Sequence, residues 1–330
     1  TVPVALWYPV TEQQVKGSKS SATYPYEVSV AKIARLLARW DLPKWVKLSS
    51  QISGSKPVVK GVRELILNAR INSSEARPGI IFAHGYLGSR FDFLHVAEEL
   101  ASRGFVVAAP DLPESLSDSF TPNPDTSRPA IIQSVRALLR DQLKVCNEFG
   151  IMGHSAGGGS ATMEESDYPL GRCAVAGFRG YAKDDPLLIV ASKGDNVIPF
   201  NLLVENIPVD CKRYYGTAGT EAIVDDFEKG KGSRRTALLL GASGPELRPE
   251  ESGAPAPNHI SFLSEQTNNA LVSFLSPLLP VARAINVRVL DFDVYQQNRD
   301  SRRTAQLYIP AVVAFFEAQR QELLPPDSKV

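Results

Sequence analysis

The sequence is poor in cysteine, has no excess of either charge and contains no long apolar run, and each absence argues against a class of protein. Its three cysteines, Cys146, Cys173 and Cys211, lie far apart without a CxxC pair, so neither a disulfide framework nor a zinc site is expected. The formal net charge is zero, whereas a nucleic-acid-binding protein normally carries a basic excess. No stretch approaches the roughly 18 apolar residues that a membrane-spanning helix needs.

The overall composition of the chain is that of a large folded protein. The chain has 330 residues, of which 43% are hydrophobic, enough to bury a substantial core. We predict a single domain over residues 1–330, with its core at about 57–275 and insertions at about 11–56 and 276–300. We expect it to be soluble and cytoplasmic or plastid-like. The chain opens at Thr1 without a leader pattern, which leaves open a targeting peptide lost on maturation.

Short apolar runs alternate with longer amphipathic ones, which predicts an α/β fold with a mostly parallel central sheet flanked by helices. The predicted strands are Val2–Tyr8, Val62–Ala69, Gly79–His84, Gly104–Ala109, Phe149–Gly153, Cys173–Phe178, Leu187–Ser192 and Thr236–Gly241. The predicted helices are Phe91–Ser102, Pro129–Val145, Ala156–Glu165, one from Ser261 and one at Arg302–Gln321.

The two insertions interrupt this alternation and have the character of caps. Residues Val28–Trp40 form an amphipathic pattern with a basic face, which would suit peripheral contact with a membrane or a cap over an active site. Packing on the protein's own domain, with the basic face in water, is the favoured interpretation. Residues Ser276–Asp300 would wall a substrate pocket or, as we favour, pack as ordinary structure.

A candidate nucleophile lies in the middle of the chain. Residues 153–157 read Gly-His-Ser-Ala-Gly and fit the pattern G-x-S-x-G, in which a serine occupies a sharp strand-to-helix turn. An apolar run precedes the motif and a predicted helix follows it. Small residues such as Gly153 and Gly157 let the strand and the helix approach each other closely. The motif predicts Ser155 as the nucleophile, and a glycine-rich turn without chemistry is the alternative.

The loop after the predicted strand Gly79–His84 is the candidate oxyanion hole. A serine that attacks a carbonyl group needs backbone N–H groups aimed at the oxygen that becomes negatively charged. We expect one N–H from Ala156, directly after the serine, and a second from Tyr86. Gly85 would allow the loop to approach the serine, and His84 is expected to brace the backbone of this loop.

The chain has four histidines, and elimination among them leaves one general base. His84 belongs to the oxyanion loop, and His154, as the x before the serine, is expected to point away from the site. His95 lies among apolar neighbours in a predicted helix. His259 lies in a late loop just before an apolar helical segment, where it would deliver an imidazole to the serine.

The acid that orients this base is expected at the end of another strand. Asp195 follows the predicted strand Leu187–Ser192 and a glycine turn. Its carboxylate would hold the His259 tautomer and stabilise the imidazolium that forms during proton transfer. Asp184 and Asp185 precede the same strand and would lie at the opposite edge of the sheet. An aspartate in a surface turn is the alternative interpretation.

With these residues in place, the chain resembles the α/β-hydrolase superfamily over roughly Arg77 to Gln266. It is similar to platelet-activating-factor acetylhydrolase-like and dienelactone-hydrolase-like esterases. The segments that carry this likeness are Val4–Pro9, Phe82–Gly88 and Leu100–Asp111. Chlorophyllases share the His-Gly-Tyr and Gly-His-Ser sequences, but they usually carry arginine where this chain has Ala156.

The resemblance implies a serine hydrolase for an ester of a bulky, hydrophobic, lipid-like molecule, with no metal and no organic cofactor. A chlorophyllase acting on the phytyl ester of chlorophyll is the alternative. A second alternative is a non-catalytic hydrolase fold that binds a hydrophobic ligand. Thioester hydrolysis, amide hydrolysis and acyl transfer share the same tetrahedral intermediate and stay open, as does the oligomeric state.

Overall fold

The computed structural model describes residues 1–11, 76–181, 183–241, 255–269 and 300–324, with short pieces at 23–25 and 58–60 and single residues at 14, 29, 32, 35, 71, 280 and 284. The predicted strand Val62–Ala69 lies outside these residues. So does most of the two predicted insertions, at about 11–56 and 276–300.

The centre of the described structure is one sheet of eight strands. Its strands are β1 Val4–Trp7, β4 Arg77–Ala83, β5 Val106–Pro110, β6 Cys146–His154, β7 Arg172–Val175, β8 Leu187–Ser192, β9 Lys212–Tyr215 and β10 Arg235–Leu240. They lie in the order β1-β5-β4-β6-β7-β8-β10-β9, and only β1 runs antiparallel to its neighbour. A separate ribbon pairs β2 Thr23–Pro25 with β3 Val58–Lys60. The predicted α/β fold with a mostly parallel sheet is confirmed.

Helices cover both faces of this sheet. Within the described ranges they are α1 Leu94–Ser102, α2 Arg128–Ala137, α3 Ala156–Met163, α4 Phe200–Asn206, α5 Gly216–Glu228 and α6 Ser301–Leu323. Side chains cap two of them, because Ser127 accepts the N–H of Ala130 and Asp300 accepts the N–H of Arg302. In both helices the cap therefore supplies an acceptor for an N–H group of the first turn, which has no partner within the helix.

Several elements differ from the sequence prediction, each for a local reason. The predicted helix Pro129–Val145 changes after Ala137 into a π-helical turn, Leu138–Gln142. The helix expected from Ser261 begins later: His259–Phe262 form a short 3-10 turn, and helical residues follow at 265–269. Local sequence signals did not predict β9, whose residues Lys-Arg-Tyr-Tyr contain no aliphatic side chain. They also did not predict α4 and α5, and α5 begins with the poor helix formers Gly-Thr-Ala-Gly-Thr.

Alternation along the strands divides the core between the two faces of the sheet. Ile80 and Phe82 of β4 join a buried cluster that contains residues of α1, α5 and α6. Ile81 and Ala83 join a second cluster that contains residues of α2 and α3. This split follows from the period of two in a strand, since successive side chains point to opposite faces. The central strands are therefore buried on both faces, and their carboxyl ends meet at one edge.

Two described residues of the basic N-terminal segment contact the loop that follows β5. The N–H of Ser29 donates to the carbonyl of Leu116 over 2.9 Å. The ammonium of Lys32 donates to the carbonyls of Ser117 and Phe120, and burial lowers its pKa. Lys32 is thus turned toward the protein. None of the helices in the described ranges combines the length and the apolar character of a bilayer span.

A buried arginine anchors the far end of α3. The side chain of Arg172, at the start of β7, is 0% exposed and its guanidinium lies 2.7 Å from the carboxylate of Asp185. The same group donates to the carbonyls of Ala161 and Glu164 over 2.8 Å, and these belong to the last turn and the C-cap of α3. As expected from its place before β8, Asp185 lies at the amino ends of the strands. Arg172 therefore satisfies carbonyls that a helix leaves without intrahelical partners.

Replacing Arg172 tests this anchor. We expect Arg172→Ala to lower the free energy of unfolding by about 3–5 kcal/mol, because it leaves the carboxylate of Asp185 and two carbonyls without their donor. Urea denaturation followed by circular dichroism measures the change. Arg140→Ala is the matched control, since the Arg140–Asp141 pair is about half exposed (49% and 53%) and should be close to neutral. Equal effects of the two substitutions would show that Arg172 has no anchoring role.

Candidate active site

Ser155 lies at a strained turn between β6 and α3. Its backbone has φ 56° and ψ −122°, a conformation that a residue with a side chain rarely adopts. Such strain costs on the order of 1–3 kcal/mol and persists only where the surroundings impose it. Here the N–H of Ser155 donates to the carbonyl of Val175 over 2.9 Å. The side chain stays half-buried at the carboxyl edge of the sheet.

The glycines around Ser155 let three backbone segments come together. A Cβ added at Gly153 would lie 2.0 Å from the carbonyl oxygen of Gly157. One added at Gly157 would lie 1.9 Å from the carbonyl oxygen of Ala83, in β4. Both glycines of the motif are thus required by contact between backbones, as the sequence predicted.

The loop after β4 lies directly against the serine. A Cβ added at Gly85 would be 3.1 Å from the Cβ of Ser155. Nδ1–H of His84 donates to the carbonyl of Gly85 over 2.7 Å, and Nε2 accepts the N–H of Leu112 over 2.8 Å. Burial lowers the pKa of His84 to about 4, so the ring is neutral and both nitrogens keep these roles. His84 thus braces the loop, and the expected donor Tyr86 follows Gly85 directly.

A cation that the sequence analysis did not identify also holds this loop. Nη1 of Arg128, the first residue of α2, donates to the carbonyl of His84 over 2.8 Å. The guanidinium also lies 2.9 Å from the carboxylate of Glu114. No sequence pattern points to this contact, because Arg128 follows His84 by 44 residues. Arg128 and the His84 ring together set the orientation of the peptide groups beside Ser155.

Asp92, the residue before Phe93 and α1, connects the same loop to the segment after His259. Its Oδ1 accepts both the N–H and the hydroxyl of Ser89 over 3.0 Å. Its backbone carbonyl accepts the N–H of Ser264 over 2.8 Å. The pKa of Asp92 is raised to about 7. Burial is the main cause of the rise and the nearby Asp111 adds to it, while the bonds from Ser89 oppose it.

Asp195 and His259 are in contact at the same edge of the sheet. Nδ1–H of His259 donates to Oδ2 of Asp195 over 2.9 Å, with the side chains 6% and 0% exposed. The second oxygen, Oδ1, accepts the N–H groups of Val197 and Ile198 over 2.9 Å. These bonds hold the carboxylate in one orientation. They leave Nε2 of His259 as the nitrogen with a lone pair.

His154 fastens the His259 turn to the residue that precedes the serine. Its Nε2–H donates to the carbonyl of His259 over 3.0 Å, and the two ring centroids are 4.7 Å apart. The expectation that His154 points away from the site is therefore wrong. The side chain of Asn258 accepts the N–H of Ser261 and caps this turn. An asparagine before a short helical segment is a capping signal that sequence reasoning could have used.

The structure brings most of the predicted site residues to one place. Ser155, Asp195 and His259 all lie at the carboxyl ends of the strands, with Gly85 in contact with the serine. His95 is not among them, and its Nε2 lies 2.9 Å from the hydroxyl of Tyr308. Among the described residues, no three His, Cys, Asp or Glu side chains converge as a metal site requires. A serine at a strained strand-to-helix turn and an imidazole with a buried carboxylate partner, at the same edge of the sheet, are groups suited to nucleophilic attack on a carbonyl group.

A methyl group on Gly157 tests the contact between backbones. We expect Gly157→Ala to lower the free energy of unfolding by about 3 kcal/mol or more, because neither α3 nor β4 can move away without disturbing the sheet. Gly159→Ala, in the same helix, is the control: the nearest atom to its added Cβ is Cδ of the Arg179 side chain at 3.3 Å. Alanine is favoured over glycine in a helix, so this variant should be neutral or more stable. Thermal unfolding of both proteins decides between these outcomes.

Asp92 predicts a specific dependence of stability on pH. Its pKa of about 7 in the folded protein exceeds its ordinary value of 3.8, so its stabilising contribution is complete below about pH 4 and is lost as pH rises through 7. Asp92→Asn imitates the protonated form at every pH. We expect the variant to match the native protein near pH 4 and to become the more stable of the two by pH 8.

Urea denaturation at several pH values measures this difference. The exposed Asp184→Asn provides the control and should show no such trend. A constant difference between the Asp92 variant and the native protein across this range would contradict the assignment.

Two family models match the chain. The model described as "Alpha/beta hydrolase family" matches residues 80–321. The model described as "Platelet-activating factor acetylhydrolase, isoform II" matches residues 2–120. The first of these ranges contains Ser155, Asp195 and His259, and the second contains the loop at residues 84–88. A search of the curated proteins gave no match.

A solved structure shows the same fold. The chain is similar to ferulic acid esterase from Streptomyces cinnamoneus, with a TM-score of 0.50 and 18% identity over 98% of this chain and 84% of that one. It also matches Est1E from Butyrivibrio proteoclasticus, solved with ferulic acid bound, with a TM-score of 0.34 and 16% identity over 50% of this chain and 79% of that one. The family match extends over more than half of the chain. The chain therefore belongs to the α/β-hydrolase family.

Proposed function

We propose that the protein is a serine carboxylic ester hydrolase in which Ser155 is the nucleophile, His259 the general base and Asp195 the residue that orients the base. The observation that carries this proposal is the backbone of Ser155, with φ 56° and ψ −122°. That conformation presents the hydroxyl at the sheet edge and leaves the N–H groups at the start of α3 near the reacting carbonyl. A turn without a chemical role would have no reason to maintain such strain.

The proposed reaction gives each of these groups one role. His259 takes the hydroxyl proton on Nε2 as Oγ of Ser155 attacks the ester carbonyl, while Asp195 stabilises the imidazolium through Nδ1–H. The N–H groups of Ala156 and Tyr86 stabilise the negative oxygen of the tetrahedral intermediate. The alcohol leaves with the proton from His259. A water molecule, deprotonated by His259, then attacks the acyl-enzyme and releases the acid.

Apolar side chains near the site support a bulky, hydrophobic ester as the substrate. Ile198 and Phe200 follow Asp195 closely in the chain and stay partly exposed against a buried cluster. Tyr86, on the oxyanion loop, has 46% of its surface exposed, and Leu202 has 54%. The match of residues 2–120 to the acetylhydrolase model also favours a lipid-like ester.

Removing the hydroxyl of Ser155 tests the assignment. We expect Ser155→Ala to lower kcat for p-nitrophenyl butyrate by at least about 10⁴-fold, because no acyl-enzyme can form. A fluorophosphonate should add covalently to Ser155 in the native protein, as peptide mass mapping would show, and should not add to the variant. Ser160→Ala is the matched control on the same helix, since its hydroxyl bonds the carbonyl of Ala156 within α3. A Ser155 variant with more than a tenth of native activity would disprove the proposal.

Three esters compared in parallel assign the substrate class. A phospholipid with a short sn-2 acyl chain should be cleaved faster than p-nitrophenyl butyrate, and chlorophyll a should not be cleaved. Preferential release of chlorophyllide would replace the lipid ester with the phytyl ester. An unmodified Ser155 and no turnover of any ester would instead support a binding role for the fold.

A further inference from the structure

Two consecutive peptide groups of the loop after β4 are held by hydrogen bonds to their carbonyl oxygens. The carbonyl of Gly85 accepts Nδ1–H of His84 over 2.7 Å and the N–H of Gly88 over 3.2 Å. The carbonyl of His84 accepts Nη1–H of Arg128 over 2.8 Å. A peptide group is planar, so a donor that holds its carbonyl also fixes the direction of its N–H.

The second of these peptide groups carries the N–H of Tyr86, the proposed oxyanion donor. In a trans peptide this N–H points away from the carbonyl of Gly85, so the bonds to that carbonyl set its direction. The peptide group before it, between His84 and Gly85, differs from it only by the two backbone dihedral angles of Gly85. Glycine restricts these angles less than any other residue, so the loop needs an external donor to keep this geometry.

The position of Arg128 suits it to this role. Its side chain is 13% exposed, and its Nε donates to Oε2 of Glu114 over 3.0 Å. The carboxylate balances the positive charge, so the guanidinium acts on the loop through its hydrogen bond rather than through a long-range field. A Cβ added at Gly157 would lie 2.7 Å from the carbonyl oxygen of His84, so this oxygen lies against the first turn of α3. Arg128 therefore holds the loop next to the turn that contains the proposed nucleophile.

We propose that Arg128 is a positioning residue for the oxyanion hole. By holding the carbonyl of His84, it keeps the N–H of Tyr86 aimed at the negative oxygen of the tetrahedral intermediate. This inference rests on the proposed ester hydrolysis and extends it to a residue that does not touch the substrate. A fixed donor contributes most where charge develops, so loss of Arg128 lowers kcat and leaves KM nearly unchanged.

Removing the guanidinium tests this role. We expect Arg128→Met to lower kcat for p-nitrophenyl butyrate at least about tenfold with little change in KM, since acylation and deacylation both pass through a negative intermediate. Arg136→Met, later in the same helix, is the matched control, because the guanidinium of Arg136 lies over the rings of Phe149 and Tyr168, at 5.3 and 5.2 Å. Its kcat should stay close to native. An Arg128 variant that keeps more than half of the native kcat would overturn the proposal.

A tetrahedral inhibitor provides a readout that a purely structural role would not change. A trifluoromethyl ketone such as 1,1,1-trifluoroheptan-2-one adds to a nucleophilic serine as a hemiketal, whose negative oxygen occupies the oxyanion hole. Its inhibition constant should rise in Arg128→Met by the factor by which kcat/KM falls, because both report binding of the tetrahedral state. An unchanged inhibition constant together with a lowered kcat would contradict a role in positioning the donor.

Covalent labelling distinguishes failure of this inference from failure of the proposed function. If a fluorophosphonate does not add to Ser155 of the native protein, the proposed hydrolysis is wrong and the role of Arg128 falls with it. If it adds, Arg128→Met should react more slowly but reach the same final stoichiometry, which shows an intact fold and nucleophile. An Arg128 variant that takes no label and shows no cooperative unfolding would assign the residue to the fold and overturn the proposal.

The contact with Glu114 gives a second, independent variant. Glu114→Gln should lower kcat less than Arg128→Met does, because the guanidinium stays in place with a weaker partner. The double variant should match Arg128→Met alone, since Glu114 acts on the loop only through Arg128. Two reductions that multiply would show that Glu114 acts by itself and that the order from Glu114 through Arg128 to His84 is wrong.

Discussion

The close approach of three backbone segments around Ser155 is the constraint on which the rest of the site depends. β6 ends at His154, α3 begins at Ala156, and the end of β4 lies against Gly157 with no room for a Cβ. This contact sets the serine in its strained conformation and brings the loop after β4 to within van der Waals distance of it. Ser155 and the loop after β4 are therefore parts of one packing arrangement, and neither can shift alone.

Polar side chains connect the remaining loops to this arrangement. The neutral ring of His84 joins the loop after β4 to the N–H of Leu112 in the loop after β5. The backbone of Asp92 joins the first of these loops to the segment after His259 through Ser264. His154 holds the carbonyl of His259 itself. Because these contacts are buried and directional, the strand ends form a rigid frame in which Asp195 and His259 keep one relative orientation.

The same helices that complete the core also form a concave surface on their outer side, between α1, α5 and α6. α6 packs its apolar residues Phe315 and Phe316 into the core below, while Ile309 and Val313 line this concave surface. Tyr308 links the two environments, since its hydroxyl contacts both His95 and the carbonyl of Phe262 at the end of the His259 turn. A buried tyrosine can do this because its ring packs against apolar neighbours while its hydroxyl forms hydrogen bonds.

The sequence by itself determined the elements whose signals are local. Dense apolar runs predicted β4, β5, β6, β8 and β10, and the pattern Gly-x-Ser-x-Gly predicted the turn at Ser155, because its small residues reflect a contact between adjacent elements. Elimination among four histidines selected His259 as the candidate base, and the structure adds its hydrogen bond to Asp195. Only the tertiary structure decided what depends on distant partners. The bond from Arg128 to His84, the contact between His154 and His259, and the bond between His95 and Tyr308 join residues that are far apart in the chain. No local pattern encodes such contacts, since they arise only when parallel strands bring their carboxyl ends to one edge and helices pack across the sheet.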